Sequence, residues 1–221
     1  MFRYAIATGR ADRNPADDLR GALASSEVQH FPSITDPSLI AGLLRATYGY
    51  QGSPVVQAAL RLAPLVFVRP GELRHALWDD IDLDAGQWRF TATKTGQPHI
   101  VPLAAQAVAI LRELHPLTCR AKYVFPCMIG KGRPMSENAV NGALRRLGYE
   151  SGSMTGHGFR AMARTVLDEV LGFRPDYIEH QLAHAVRDPN GRAYNRTAHL
   201  VERAKMMQAW ADYLDGLRTS L

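Results

Sequence analysis

From Ser53 to Val68 the chain reads SPVVQAALRLAPLVFV, apolar on nearly every side at helical spacing. A helix with no polar face has to be buried. Its start is marked by a capping serine, Ser53, followed by Pro54 at the first helical position. Pro64, near its far end, predicts a bend. A chain of 221 residues can bury such a helix without staples, because a globule of this size hides roughly 70% of its unfolded surface.

The hydrophobic content of 46% and charged content of 21% are those of a soluble globular protein. Cys119 and Cys127 form no CxxC pair, which argues against zinc and disulfide scaffolds and fits a reducing cytoplasm. No apolar run approaches the roughly 18 residues of a membrane span, and the first residues lack a signal-peptide core. The net charge of +5 permits a polyanionic partner. Arginines crowd the second half: Arg145, Arg146, Arg160, Arg164, Arg187, Arg192, Arg196 and Arg203.

Residues 1–30 read as a helix tail and connector, broken by Asn14-Pro15 and by GALASS. Asp36 and Pro37 open a helix with Leu39, Ile40, Leu43 and Leu44 at helical spacing. PGELRHAL is a short helical turn. QWRFTA and PHIVPL then have β-type composition, and TKTGQ between them, with Gly96, predicts a hairpin. Asp79, Asp80, Asp82 and Asp84 ahead of it are spaced wrongly for an EF-hand and read as a solvated turn. Helices resume with AAQAVAILRELH. YVFP is a strand candidate and GKGRP a basic loop. Ser136 is the expected cap of ENAVNGALRRLG, and Gly148 its stop. An amphipathic helix is expected over residues 157–171, then PDYIEHQLAH and the turn RDPNG. The last helix, about 198–217, would bury Leu200, Val201, Ala204, Met207, Trp210, Ala211 and Leu214.

Several residues could carry chemistry. His157 and Arg160 share a face at a helix start, where backbone N–H groups favour a phosphate; a capped helix with a solvated arginine is the plainer reading. His180 and His184 are four apart on one helical face, but Gln181 stands where a metalloprotease needs glutamate, and no third metal ligand is evident. Arg69 beside Glu72 could aim a planar fork at a phosphate or form a structural ion pair. Lys94, at the hairpin tip, is either solvated or able to deliver a proton. In GRAYNR, Tyr194 lies between Arg192 and Arg196, and taken alone it reads as a packing residue.

Taken in order, Arg69, Lys94, His157-x-x-Arg160, His184 and Tyr194 resemble the catalytic domain of the tyrosine recombinases, also called phage integrases, and especially those of phages and genomic islands. FVRPGELRHALWDDID is similar to the first arginine box. KTGQPHIVPL is similar to the hairpin lysine, TGHGFRAMART to the His-x-x-Arg box, and QLAHAVRDPNGRAYNR to the terminal histidine-to-tyrosine segment. The resemblance covers about residues 30–215. It implies a mainly α fold with a small antiparallel β-sheet (α+β), with 31–221 as the catalytic domain. Residues 1–30 would then be the end of an upstream core-binding domain plus linker.

The implied activity is site-specific DNA cutting and rejoining through a 3′-phosphotyrosyl intermediate on Tyr194. Arg69 and Arg160 would clamp the phosphate and His184 would add a hydrogen bond. Lys94 would protonate the leaving 5′ oxygen, and His157 would assist deprotonation of Tyr194. Glu72 would support Arg69. Arg164, Arg192 and Arg196 would hold flanking DNA backbone or brace the fold. The resemblance further implies no metal or cofactor, double-stranded attachment sites, a homotetramer on DNA with its C-terminal segments traded between neighbours, and accessory DNA-bending proteins. The setting would be a prokaryotic cytoplasm, at the nucleoid and away from membranes. A type IB topoisomerase-like nicking-closing enzyme is an alternative, as is a DNA-binding regulator without catalysis, although all six catalytic positions are filled.

Overall fold

The structure is a computed structural model that describes residues 2–15, 17, 32–130, 132–184 and 199–220. The chain divides into two compact units, Met1–His30 and Phe31–Leu221. The first contains helix α1 (Phe2–Ala7), which buries none of its residues.

The second unit is built around the apolar helix anticipated from the sequence. Helix α2 (Pro37–Gly49) starts at Asp36, whose carboxylate accepts from the N–H groups of Ser38 and Leu39. Helix α3 (Pro54–Val66) starts at Ser53, whose hydroxyl accepts from Val56. Ala59, Leu60 and Val66 of α3 are fully buried, and α2 and most of the later helices pack around it. Pro64 lies inside α3. Its carbonyl, in a last turn that lacks helical partners, accepts from the Trp210 indole at 2.8 Å. The helix ends at Phe67, which takes the left-handed conformation at φ 35° and ψ 37°.

The short helix α4 (Pro70–Arg74) and the strands β1 (Ile81–Asp82), β2 (Gln87–Thr91) and β3 (Pro98–Pro102) follow. The sheet is antiparallel in the order β1-β2-β3, so β3 is an edge strand among the described residues. Trp88 pairs with Val101 and Phe90 with His99, and alternation along each strand puts these four side chains on one face. Gly96, at φ 66°, makes the hairpin turn in the left-handed region that glycine adopts without strain.

Helices α5 (Ala105–Thr118), α6 (Ala139–Arg146), α7 (Gly158–Glu169), α8 (Pro175–Gln181) and α9 (Leu200–Thr219) complete the unit. No helix among the described residues is long and apolar enough to cross a membrane.

Four expectations need correction. YVFP is not a strand: Tyr123 makes an isolated bridge with Leu77, and Pro126 with Pro134, and a proline has no N–H with which to extend a ladder. Ser136 caps a preliminary turn by accepting from Asn138, while α6 itself begins at Ala139. Helix α8 ends at Gln181 and Ala183 is left-handed at φ 51°, so His180 and His184 do not share a helical face. On α9, Val201 is 64% exposed and Ala204 is exposed, while Arg203 is 2% exposed and Met206 is fully buried. The buried stripe is therefore Arg203, Met206, Met207, Trp210, Ala211 and Leu214. A hydrophobic pattern could not include Arg203, whose burial depends on acceptors supplied by other elements. Met206, Met207 and Trp210 belong to this chain's own core.

Candidate active site

The site is assembled where α3, the β2–β3 hairpin, α7 and the end of α8 meet. Arg69 precedes α4 and is fixed by Glu72, one turn on. The Glu72 carboxylate accepts from the Arg69 backbone N–H at 3.0 Å and from Arg69 Nη1 at 2.9 Å. The same carboxylate accepts from the backbone N–H and hydroxyl of Thr93, at 3.1 and 3.3 Å. Glu72 is 5% exposed, and a buried carboxylate needs such donors. One side chain thus orients the first arginine and anchors the turn that presents Lys94 to solvent.

Arg160, on the first turn of α7, is 7% exposed. Nη1 donates to the Phe67 carbonyl at 2.9 Å and Nη2 to the Leu182 carbonyl at 2.8 Å. Arg69 Nη2 reaches the next carbonyl in the chain, that of Ala183, at 3.4 Å. Two carbonyl-bearing residues in this set, Phe67 and Ala183, are non-glycine residues in the left-handed region. Backbone strain of this kind, of order 1–3 kcal/mol per residue, persists where surrounding structure enforces it and clusters at functional sites. Here it turns two carbonyls toward two arginines.

His184 follows immediately. Its Nε2 lies 3.2 Å from Arg160 Nη2, and its Nδ1 lies 2.6 Å from Glu179 Oε2. These partners fit a proton on Nδ1, with Nε2 accepting from the guanidinium. Glu179 is in turn held by Arg164 Nε at 2.8 Å. Burial raises the Glu179 pKa, but the hydrogen bonds from His184 and Arg164 outweigh it and leave the carboxyl below its usual range. Arg164 therefore braces His184 through a carboxylate.

His157 stands just before α7 and is half-buried. Burial lowers its pKa, and the charges of Arg160, Arg69 and Lys94 lower it further against the opposing pull of Glu72. An imidazole that senses all three cations is kept neutral near pH 7, the state that can accept a proton. Burial, aided by the charge of Arg69, pushes the Arg160 guanidinium down to about 10, so, unlike His157, it keeps its proton at neutral pH. Gly158, between His157 and Phe159, is required by close approach: a Cβ there would lie 2.4 Å from the Pro32 carbonyl oxygen.

The structure thus brings Arg69, Glu72, His157, Arg160 and His184 together, with Lys94 on the adjoining turn. Tyr194, Arg192 and Arg196 lie outside the described residues. Sequence reasoning missed Glu179, Thr93 and the carbonyls of Phe67, Leu182 and Ala183. None had a sequence signal, since main-chain acceptors and a carboxylate five residues from its histidine follow no motif. His180 sits apart from the cluster, 5.6 Å from His199 between ring centres.

A mainly helical domain with a short antiparallel sheet, in which two guanidiniums, two imidazoles and a hairpin lysine are drawn together, matches the tyrosine recombinase catalytic-domain fold of its structural neighbours. The family model described as the phage integrase family matches residues 44–199. The integrase of Enterobacteria phage P4 is 39% identical over 97% of this chain and 52% of its own length. Among solved structures, the integrase from mycobacterium phage Brujita is similar with a TM-score of 0.63 and 18% identity, over 100% of this chain and 70% of that one. Lambda integrase, solved as a dimer bound to a COC′ core site, has a TM-score of 0.58 and 20% identity, over 88% of this chain and 57% of that one. The chain belongs to the phage integrase family. It spans about half the length of the curated relatives it matches. These likenesses favour neither the topoisomerase-like nor the regulator reading.

Proposed function

We propose that the chain is the catalytic part of a site-specific DNA recombinase that cuts and rejoins DNA through a phosphotyrosine at Tyr194. The observation that carries this is the convergence of Arg69 and Arg160 on the consecutive carbonyls of Ala183 and Leu182, with His184 3.2 Å from Arg160. Two fixed guanidiniums, with the His184 ring beside them, make a preorganised clamp for a phosphate whose charge grows in the transition state.

Tyr194 Oη bonds to phosphorus as the bond from phosphorus to the 5′ oxygen breaks. His157 takes the tyrosine proton, and the Lys94 ammonium gives its proton to the leaving 5′ oxygen. The phosphotyrosine keeps the bond energy, and a second strand's 5′ hydroxyl can reverse the step without metal or cofactor. Tyrosine suits this reversal because its reference pKa of ~10 makes it a better leaving group than serine.

The substrate is a pair of double-stranded attachment sites held by a homotetramer, with accessory DNA-bending proteins, in a prokaryotic cytoplasm at the nucleoid. Lambda integrase on core-site DNA supports the DNA partner. Residues 1–30 are the end of an upstream core-binding domain, a reading supported by relatives about twice as long as this chain. Arg192 and Arg196 hold flanking backbone.

The test is covalent capture. The chain is incubated with a pool of nicked duplexes carrying a randomised core, and detergent-resistant protein–DNA adducts are recovered and sequenced. Adducts should survive EDTA and vanish in Tyr194→Phe. Absence of any adduct from the wild-type chain, or cutting that EDTA abolishes, would overturn the reading.

A further inference from the structure

Arg203, in the first turn of α9, is 2% exposed. Its Nε and Nη2 donate to Gln181 Oε1 at 3.0 and 2.6 Å, and Nη2 also donates to the Ile100 carbonyl. Every one of these acceptors is neutral, and among the described residues no carboxylate pairs with this guanidinium. A buried cation without a counter-charge is unfavourable, and apolar residues of similar volume are often as stable or more so in such places. Met206 and Met207, one turn on, show what α9 uses where only packing is needed. Packing alone therefore does not account for an arginine here.

Its contacts lie on two elements that frame the site. Ile100 is on β3, whose outer edge has no neighbouring strand among the described residues and whose hairpin carries Lys94. Gln181 closes α8, and the next three residues supply the Leu182 carbonyl to Arg160, the Ala183 carbonyl to Arg69, and the His184 ring. His99, beside Ile100, extends the joint: its Nε2 lies 3.1 Å from the Gln181 carbonyl oxygen. Gln181 is thus held by side chain and main chain at once. Its Nε2 is buried without an acceptor among the described residues, so the amide is oriented by its oxygen.

We propose that Arg203 is a positioning residue for strand cleavage. Through Ile100 and Gln181 it sets the hairpin bearing Lys94 against the α8 turn bearing His184 and the carbonyls that hold the two clamp arginines. This rests on the function proposed above. Lys94 has to meet the 5′ oxygen of a phosphate held by groups on other elements, and a joint between those elements fixes that distance. A misplacement of ~1 Å lowers a rate by about a hundredfold.

The experiment uses the 221-residue chain and a duplex recovered by the capture described above. A second version of that duplex carries sulfur in place of the bridging 5′ oxygen at the scissile phosphate. When the phosphorus–sulfur bond breaks, the leaving group departs as a thiolate and needs no proton. Arg203→Met should cleave the oxygen duplex about thirtyfold more slowly, short of the roughly hundredfold or more that losing a general acid outright costs. On the sulfur duplex it should come within about threefold of wild type, as Lys94→Ala, the control for a missing acid, should also do. Duplex affinity and melting temperature should be unchanged or, for melting, raised. Arg203→Lys, which can still donate to Gln181 or Ile100, should recover part of the rate.

Three outcomes overturn the inference: equal losses on the two duplexes, rates within twofold of wild type on both, or a loss matched by the unfolded fraction. Should Arg203→Met fail to fold, Arg203→Lys is read by the same pair of duplexes and the same criteria. A wild-type chain that forms no adduct removes the functional reading itself, which is distinct from a wild-type chain that cleaves and a variant that cleaves equally well.

Discussion

Arg160 and Arg203 are both almost wholly buried, at 7% and 2% exposure, and burial pushes both guanidiniums down to about 10. Both donate to neutral acceptors, and both lie within the same few residues of the α8 turn. They differ in what surrounds them. Arg160 is flanked by other cationic groups, Arg69 and Lys94 around His157, and it approaches the His184 ring. Arg203 is sealed among Gln181, Ile100 and the core stripe of α9. Burial of a charge is thus put to two uses. A buried guanidinium among cations attracts an anion, which relieves the repulsion. One saturated by amide oxygens holds backbone in place. On the proposed function, the charge that would bind a ligand at the first gives the second only direction.

The largest separation should come from removing each charge. On the proposed function, Arg160→Met deletes a direct phosphate contact and should slow adduct formation by about a thousandfold, the upper end of the scale of losing a preorganised charge-stabilising donor. Arg203→Met should cost about thirtyfold at most. Single-turnover cleavage of one duplex by both variants measures the ratio. Equal losses would erase the distinction between clamp and joint.

Glu72→Gln comes next. The carboxylate serves four donors on Arg69 and Thr93, and the amide retains one acceptor oxygen while adding donors that face donors. Cleavage should fall about a hundredfold through misplacement of Arg69 and Lys94. Stability should fall by about 3 kcal/mol, because breaking a buried pair from one side leaves an uncompensated charge. Denaturant titration and single-turnover cleavage together check it. A stability loss without a rate loss would make Glu72 a fold residue only.

Much of this molecule was legible in its sequence, for identifiable reasons. Asp36 and Ser53 each start a helix because a short polar side chain before proline has one obvious use. Gly96 marks the hairpin because few other residues take its φ. The order of Arg69, Lys94, His157, Arg160 and His184 stood out because each side chain has a chemistry of its own. What stayed hidden belongs to the tertiary structure. Arg203 appeared only as one of the clustered arginines, since its partners lie far away in sequence. The carbonyls of Phe67, Leu182 and Ala183 carry no side-chain signature at all. Helix α8 was read through to His184, because nothing in QLAH announces that Ala183 turns left-handed. The arginines were visible, but the main chain that aims them was not.

The joint also has a proton signature. Burial and the charge of Arg203, its two largest causes, push the His99 imidazole down to about 4 from 6.5. The unfolded chain therefore takes up a proton on this residue first as the pH falls. The stability contribution is complete above pH 6.5 and is lost progressively between there and pH 4. At 1.36 kcal/mol per unit the loss is about 3 kcal/mol. His157 and His180 are lowered as well, so the His99 part is the difference between wild type and His99→Gln in unfolding free energy at pH 7 and pH 4. In an Arg203→Met background that difference should shrink, because one of its causes is gone. A difference that stays the same would mean that Arg203 does not act on His99.

The smallest effect is expected at Arg164, the exposed counterpart of the two buried arginines. Its side chain is 52% exposed, and it pairs with Glu179 at 2.8 Å. Solvent screens such a pair, so Arg164→Ala should change stability by no more than about 0.5 kcal/mol. Its reach into the chemistry is indirect, through Glu179 to the Nδ1 proton of His184. With Arg164 gone, Glu179 keeps its bond to His184 but loses a hydrogen bond that helps hold its pKa down, so the carboxyl titrates at higher pH. Cleavage should then be near wild type at pH 7.5 and fall behind only as the pH approaches the carboxylate range. Paired pH–rate profiles of wild type and Arg164→Ala test this. If the variant instead loses rate uniformly across pH and shows a shallower dependence on salt, Arg164 contacts DNA phosphate directly, and the exposed arginine joins the clamp side of the comparison.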